Sequence, residues 1–345
     1  MKNNMNRPFE VVQVGLGPMG QIIANLMLDR QSINLKGVVE IRSEFIGKNL
    51  HEILGNELGS GVNVFSDLEG LLKKENIDVV FISTSSSLKN VVPIIKQAIN
   101  ANCNVISICE ELSYPYIKYE RLFKELDELA KKYEKTIIGT GINPGYLMDL
   151  LPIVLTAPCQ KVNSIKVERI MNSSKRRESF QRKIGTGLSP EEFQDKISNK
   201  EITGHVGLKE SMYMIINALG LNYDEVIEFP PEPILTNKDF TTSYGVKVRK
   251  GDVCGLKSKA ITYLNGKEII ILDFIAYAGE HEEYDSVVID GVPSIHQKII
   301  GGVHGDLGTA AMVVNLIPRV IDAKPGLLAM KDIPVPCNTE NIWKD

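Results

Sequence analysis

The 345-residue chain has no excess of basic charge: 39 Lys and Arg stand against 43 Asp and Glu, a formal net charge of −4. That leaves no electrostatic footprint for nucleic acid. Long apolar runs are missing too. No stretch could span a bilayer, and Met1 to Arg7 is polar with no apolar signal core. A cytoplasmic protein with neither membrane nor nucleic acid as partner is expected. The five cysteines (Cys103, Cys109, Cys159, Cys254, Cys337) form no C-x-x-C pair, and the five histidines (His51, His205, His281, His296, His304) show no metal-ligand spacing. Neither a disulfide nor a metal site is expected from them. Repeats and low-complexity tracts are also absent. What is present is an ordinary apolar fraction of 43% and enough length for two domains.

The most informative segment is the opening. Phe9 to Val14 reads as a strand, Gly15-Leu16-Gly17-Pro18-Met19-Gly20 is a G-x-G-x-x-G turn, and a helical pattern follows at once. Gly15 permits the tight turn, Gly17 lets the backbone approach a pyrophosphate, and Gly20 lets the helix pack close to the strand. The helix N-terminus adds N–H groups and partial positive charge. About twenty residues on, where such folds carry an acid for the ribose, the strand Leu35 to Val39 ends in Glu40. Glu40 favours the 2′-hydroxyl of NAD, whereas Arg42 could bind the 2′-phosphate of NADP. Use of either cofactor, tilted to NAD, is expected.

Strand-like runs continue at Val62 to Phe65, Asp78 to Thr84, Cys103 to Ile108 and Thr136 to Gly139. Helices lie between them, at Leu88 to Asn100 and about Tyr116 to Tyr133. Continuous apolar strands alternating with helices indicate an α/β doubly wound parallel sheet of the Rossmann kind. After Gly145 the rhythm changes. Ile165 to Ile170 reads as a strand, Pro190 to Ser198 and His205 to Leu219 as helices, and Asn265-Gly266 as a hairpin turn. Asp290-Gly291 marks a second hairpin. An α+β domain with a mostly antiparallel sheet is expected over 146–304, following a dinucleotide-binding domain over 1–145. Residues 305–345 should pack back on the first domain, through a helix from Asp306 to Asp322 that Asp306 could cap. Leu307, Ala310, Ala311, Val314 and Ile317 should face the core, and Pro318 should kink or end the helix.

Ligands of such sheets bind beyond the carboxyl ends of the strands. There the chain carries Ser83-Thr84-Ser85, which can line a dinucleotide or cap the next helix. It also carries Cys109-Glu110-Glu111, with two adjacent acids of which one should face a substrate. The loop Gly141-Ile142-Asn143-Pro144-Gly145-Tyr146 can wrap a nicotinamide, with Asn143 and Pro144 on the cofactor and Tyr146 toward substrate. In the second domain Lys175, Arg176, Arg177, Arg182 and Lys183 form a basic cluster. A solvated face is the ordinary explanation, but Arg176 or Arg177 could hold a substrate carboxylate. His205 is a further polar candidate.

Five segments together resemble the 2,4-diaminopentanoate dehydrogenases and the related native amine dehydrogenases. They are Val14 to Gly20, Cys109 to Pro115, Gly139 to Asp149, Arg176 to Gly185 and Gly305 to Ala310. The resemblance implies a fold similar to dihydrodipicolinate reductase. It also implies oxidative deamination at C4 of 2,4-diaminopentanoate, giving 2-amino-4-oxopentanoate and ammonia with NAD or NADP. Sugar-dehydrogenase relatives end the fifth strand in C-E-K-P with a catalytic lysine. Matching that segment to Cys109-Glu110-Glu111-Leu112 favours Glu111 over Glu110 as the acid–base residue. Two other readings stand beside this one: a dehydrogenase or reductase of another amino or imino acid, and a non-catalytic dinucleotide sensor. A homodimer through the antiparallel sheet is the default for the architecture.

Overall fold

A computed structural model describes residues 7–174, 176, 178–202, 204–279 and 282–341. Two compact units emerge: residues up to Tyr146 together with those from His304 onward, and Leu147–Val303. In chain order the first unit begins with β1 (Phe9–Val14), α1 (Pro18–Leu28), β2 (Ile33–Val39), α2 (Leu50–Leu54), β3 (Val64–Phe65) and α3 (Leu68–Leu72). It continues with β4 (Val79–Ile82), α4 (Leu88–Asn100), β5 (Asn104–Ser107), α5 (Glu120–Lys132) and β6 (Thr136–Gly139). The second unit holds α6 (Leu150–Leu155), β7 (Lys161–Asn172), α7 (Glu178–Lys183), α8 (Pro190–Ser198) and α9 (Leu208–Leu219). Its remaining strands are β8 (Glu225–Glu228), β9 (Glu232–Leu235), β10 (Phe240–Thr241), β11 (Lys247–Val248), β12 (Val253–Leu264), β13 (Lys267–Tyr277), β14 (Tyr284–Val292) and β15 (Ile295–Ile300). The chain then returns to the first unit with α10 (Gly305–Ile321) and β16 (Gly326–Leu328).

In the first unit every strand pairing is parallel, in the order β16-β6-β5-β4-β1-β2-β3. Strands β4, β5 and β6 are buried at every position, as a sheet covered on both faces requires. Helix α4 buries Val91, Val92, Ile95, Ala98 and Ile99, the face that its helical spacing picks out, against Val80, Val105 and Ile137. Each of these valine and isoleucine side chains contributes roughly 1.5–3 kcal/mol on full burial. The order of strands reverses direction between β1 and β4, and the carboxyl ends of those two strands flank the glycine turn.

The second sheet runs β15-β14-β7-β13-β12-β8, with β9 also on β12. Only β7 and β13 pair in parallel among the described strands; the other pairings are antiparallel. Asn265 and Gly266 turn the β12–β13 hairpin with φ of 52° and 72°, the primed geometry that suits a right-twisted ribbon.

Several expectations need correction. Asp290-Gly291 is no turn: it lies inside β14, where the pairing with β7 slips by a bulge, and the chain reverses beyond Val292. A Cβ on Gly291 would stand 2.2 Å from the Lys161 carbonyl, so the bulge rather than a turn demands the glycine. Helix α10 is capped by His304, whose side chain accepts from the Leu307 N–H, and Asp306 lies within the first turn. Leu307 is 61% exposed instead of facing the core. Pro318 does not end the helix, which runs on to Ile321; it gives up one backbone bond near the C-terminus, where little helix is left to disturb.

Candidate active site

The glycine turn takes the shape its sequence implies. Gly15 has φ +98°, and a Cβ there would meet Ser83 Oγ and Thr84 Cγ2 at 3.0 Å. A Cβ on Gly20 would stand 2.4 Å from the Gly15 carbonyl oxygen. Gly17 is different: it is the N-cap of α1, brings no side chain to that position, and a Cβ there would meet nothing within 4 Å. The protein thus leaves room over Gly17 at the N-terminus of α1, which Pro18 opens. That combination fits a dinucleotide pyrophosphate. Gly17→Ala should therefore change folding stability by less than about 1 kcal/mol while weakening NADH binding about tenfold or more, read by thermal unfolding and fluorescence titration side by side. Gly20→Ala, which forces the turn itself to move, should lower both.

Glu40 is buried, and its hydrogen bonds are already assigned. Oε2 accepts from the Leu16 N–H at 2.8 Å and from the Arg42 guanidinium at 2.9 Å; Oε1 accepts from the N–H groups of Ile41 at 2.8 Å and Arg42 at 3.2 Å. Burial opposes the charge, but those bonds from Arg42, Leu16 and Ile41 outweigh it and hold the carboxyl at about 2. A carboxylate offers about four acceptor positions, and all are filled. A ribose hydroxyl can reach Glu40 only where Arg42 now sits. Arg42 also covers the Phe45 ring, 4.5 Å from its centroid, and is exposed on its other side.

At the end of β4, Ser83 Oγ reaches the Gly15 carbonyl at 3.0 Å and so backs the turn. Thr84 is exposed. Ser85 Oγ accepts from the Ser87 N–H and Asn90 Nδ2, both at 3.1 Å, and so is tied to the residue before α4 and to a side chain of its first turn.

The two acids after β5 part company. Both lie on a 3-10 turn, Glu110–Leu112. Glu111 accepts from the Leu88 N–H at 2.8 Å, from Tyr119 Oη at 2.8 Å and from Lys118 Nζ at 2.5 Å. It caps α4, because Ser87 at the N-cap makes no side-chain cap bond. Burial disfavours its charge, but Lys118, the Leu88 N–H and Tyr119 prevail and lower its pKa. Glu110 is half-buried, and among the described residues its carboxylate has no hydrogen bond or ion pair. Cys109 is buried, with its thiol pushed up to about 12 mainly by desolvation; it can line a site but does not supply a thiolate. The roles of Lys118 and Tyr119 escaped the sequence reading.

Asn143 and Pro144 lie on a tight loop joined by a cis peptide bond. A Cβ on Gly145 would approach Gly141 N at 2.5 Å, so the loop closes on itself through two glycines. Thr309 of α10 supports it by accepting from the Ile142 N–H at 3.3 Å. Tyr146 is half-buried at the end of this loop.

In the second unit, Arg176 is 6% exposed with its guanidinium 4.7 Å from the Phe180 ring centroid. Arg177 lies outside the described residues, as does Lys175. Arg182 is exposed and pairs with Glu178, the ordinary fate of a surface arginine. His205 stacks on Phe274, ring centroids 4.3 Å apart. Burial, aided by the charges of Lys183 and Arg169, pushes it down to about 3. His205 is therefore neutral near pH 7 and offers a substrate carboxylate no charge. Among the described residues no group of three His, Cys, Asp or Glu could hold a metal ion, and no helix is long and apolar enough to cross a membrane.

Residues 146–345 match the family described as 2,4-diaminopentanoate dehydrogenase C-terminal domain, and residues 9–106 match dihydrodipicolinate reductase, N-terminus. The chain is 35% identical to a 2,4-diaminopentanoate dehydrogenase of Acetoanaerobium sticklandii over 95% of its own length and 94% of the relative's. Among solved structures it is similar to an amine dehydrogenase from Mycobacterium smegmatis, with TM-score 0.82 and 21% identity, covering 96% of this chain and 97% of that one. A dihydrodipicolinate reductase from Paenisporosarcina, solved with dipicolinate, gives TM-score 0.55 at 13% identity, covering 95% of this chain and 100% of that one. These two likenesses concern the fold.

Proposed function

The chain belongs to the 2,4-diaminopentanoate dehydrogenase family and is an NAD(P)-dependent oxidoreductase; from that premise we propose that it oxidatively deaminates 2,4-diaminopentanoate at C4, giving 2-amino-4-oxopentanoate and ammonia. The observation that carries this reading is the match to a relative of that name over nearly the whole of both chains. NAD or NADP, when bound, takes the hydride from the substrate carbon.

The residues divide the remaining work. The glycine turn and the N-terminus of α1 hold the pyrophosphate. Hydride can leave C4 only when the attached amine is neutral, because its lone pair must form the iminium. A carboxylate near that nitrogen removes the proton and releases it to solvent; ionised again, it stabilises the iminium, takes a proton from the water that adds to it, and hands that proton to the nitrogen. Collapse of the resulting carbinolamine releases ammonia and leaves the ketone. Glu110 is the residue we assign to this role. Glu111 was the residue favoured by alignment with the lysine of sugar dehydrogenases, but its acceptor positions serve Leu88, Tyr119 and Lys118. Arg176 is the residue of the second unit we assign to the substrate carboxylate, and the neutral His205 we leave as a packing group stacked on Phe274.

The test is absorbance of the reduced nicotinamide with purified protein, NAD or NADP, and 2,4-diaminopentanoate, with ornithine and alanine run beside it. Reduction confined to the diamine supports the proposal. Reduction by ornithine or alanine instead would move the substrate assignment, and cofactor binding without amine-dependent reduction would favour a sensor.

Cofactor choice follows from the Glu40–Arg42 pair. A 2′-phosphate can draw Arg42 away from Glu40, whereas a ribose hydroxyl can take the place that Arg42 vacates. Arg42→Ala should raise the KM for NADP about tenfold, the scale of one charge-assisted hydrogen bond, and leave that for NAD unchanged or lower. An unchanged KM for NADP would remove Arg42 from this role.

A further inference from the structure

Gln13 is fully buried in β1 between Val12 and Val14. An amide in such a place is destabilising unless its polar atoms are paired. Half of it is: Nε2 donates to the carbonyl oxygens of Gly15 at 2.9 Å and Gly20 at 2.8 Å. Oε1 is buried and, among the described residues, has no hydrogen-bond partner. Packing alone gives no reason for a glutamine with an orphaned acceptor where the neighbouring positions carry valine.

Both carbonyls that Gln13 holds belong to the phosphate-binding turn. Ser83 Oγ reaches the Gly15 carbonyl as well, at 3.0 Å. Glu40 holds the Leu16 N–H at 2.8 Å, and Gln21 Nε2 donates to the Leu16 carbonyl at 3.1 Å. The turn is thus pinned at Gly15, at Leu16 and at Gly20, while the space over Gly17 stays clear. A Cβ on Gly20 would lie 3.1 Å from Gln13 Nε2 and 2.4 Å from the Gly15 oxygen, so the amide occupies a slot that the glycines leave open.

We propose that Gln13 is a positioning residue for the dinucleotide pyrophosphate. By drawing the Gly15 and Gly20 carbonyls toward β1, it fixes the turn and the first turn of α1 before the cofactor arrives, and binding does not have to order them. The inference rests on the NAD(P) reading of this site and adds to it a residue outside the glycine motif.

Gln13→Met keeps the length of the side chain and removes both donors. The dissociation constants of NADH and of ADP-ribose should each rise about tenfold, the scale of two lost hydrogen bonds. Adenosine, which lacks the pyrophosphate, should compete as it does in the parent protein. In steady state the loss should fall on the KM for the dinucleotide, with the KM for the amine within about twofold. Gln13→Glu is the second variant. Its buried carboxyl donates only when protonated, so its NADH affinity should improve as pH is lowered from about 8 to about 6, a change that the parent should not show. Parent-like affinity for NADH and ADP-ribose in Gln13→Met overturns the proposal, as does an equal weakening of adenosine. If Gln13→Met does not fold, a pH-independent NADH affinity in Gln13→Glu overturns it. A parent protein that binds neither NADH nor ADP-ribose would overturn the cofactor reading instead.

Discussion

Glu110→Gln should lower turnover about 100-fold or more, the scale of a lost general acid–base group, while NADH still binds with parent affinity. The amide keeps the size and shape of the carboxylate but cannot take a proton from the amine or from water. Glu111→Gln should behave otherwise. Its carboxylate caps α4 and accepts from Tyr119 and Lys118; the amide can keep one acceptor but turns an N–H₂ toward the Lys118 ammonium. Lower stability, on the order of 1 kcal/mol as for the lost hydrogen bond from Lys118, and a smaller fall in turnover are expected. The kcat–pH profile separates the two roles further. Loss of an acid–base group removes one limb of the profile, whereas loss of a structural contact lowers it without reshaping it. If instead Glu110→Gln turns over normally and Glu111→Gln does not, the assignment reverses. In that case Lys118 and Tyr119 would be partners that hold a reacting carboxylate in place.

The contrast between these neighbours shows where the sequence stops being legible. The strand, glycine turn, helix and acid from Phe9 to Glu40 could be read because each constraint there is local: a turn needing positive φ, a helix that must approach a strand, a sheet covered on both faces. Helix α4 was readable for the same reason, its buried face being written in its own spacing. Glu110 and Glu111 carry no such local difference. What separates them is the Leu88 N–H, 23 residues earlier in the chain, brought beside Glu111 by the pairing of β4 with β5. The same holds for Glu40: its bonds from Ile41 and Arg42 are local, but the one from the Leu16 N–H depends on where Leu16 lies relative to β2. Asp290-Gly291 was misread because a bulge and a turn use the same residues, and only the register against β7 tells them apart.

A larger effect on folding is expected in the second unit, at a pair of residues with no local signature. Arg169 of β7 is 3% exposed and donates to Asp285 of β14 at 3.0 Å and to the Val303 carbonyl at 2.7 Å. Asp285 in turn accepts from the Val303 N–H at 2.7 Å. The pair therefore joins two strands to the loop that closes this unit. Burial pushes Arg169 down and Asp285 up, each against the attraction of its partner, so the ion pair itself adds little net stability. Removing one member is another matter. Arg169→Met leaves a buried carboxylate without its cation and the Val303 carbonyl without its donor, and should cost about 3–5 kcal/mol. Asp285→Leu should cost a similar amount. The two together should cost less than the sum by at least about 2 kcal/mol, because the double variant buries no charge. In Arg169→Met the loss should also depend on pH. With Arg169 gone, the main influence lowering Asp285 is gone, and its folded pKa rises further above the unfolded value near 4. Folding is then penalised increasingly as pH rises through that window and relieved as pH falls and the carboxyl protonates. Urea unfolding of the single and double variants at about pH 5 and about pH 8 tests both points. Strictly additive losses that do not change with pH would mean that the two side chains act as separate packing residues and not as a charge-coupled clamp on Val303.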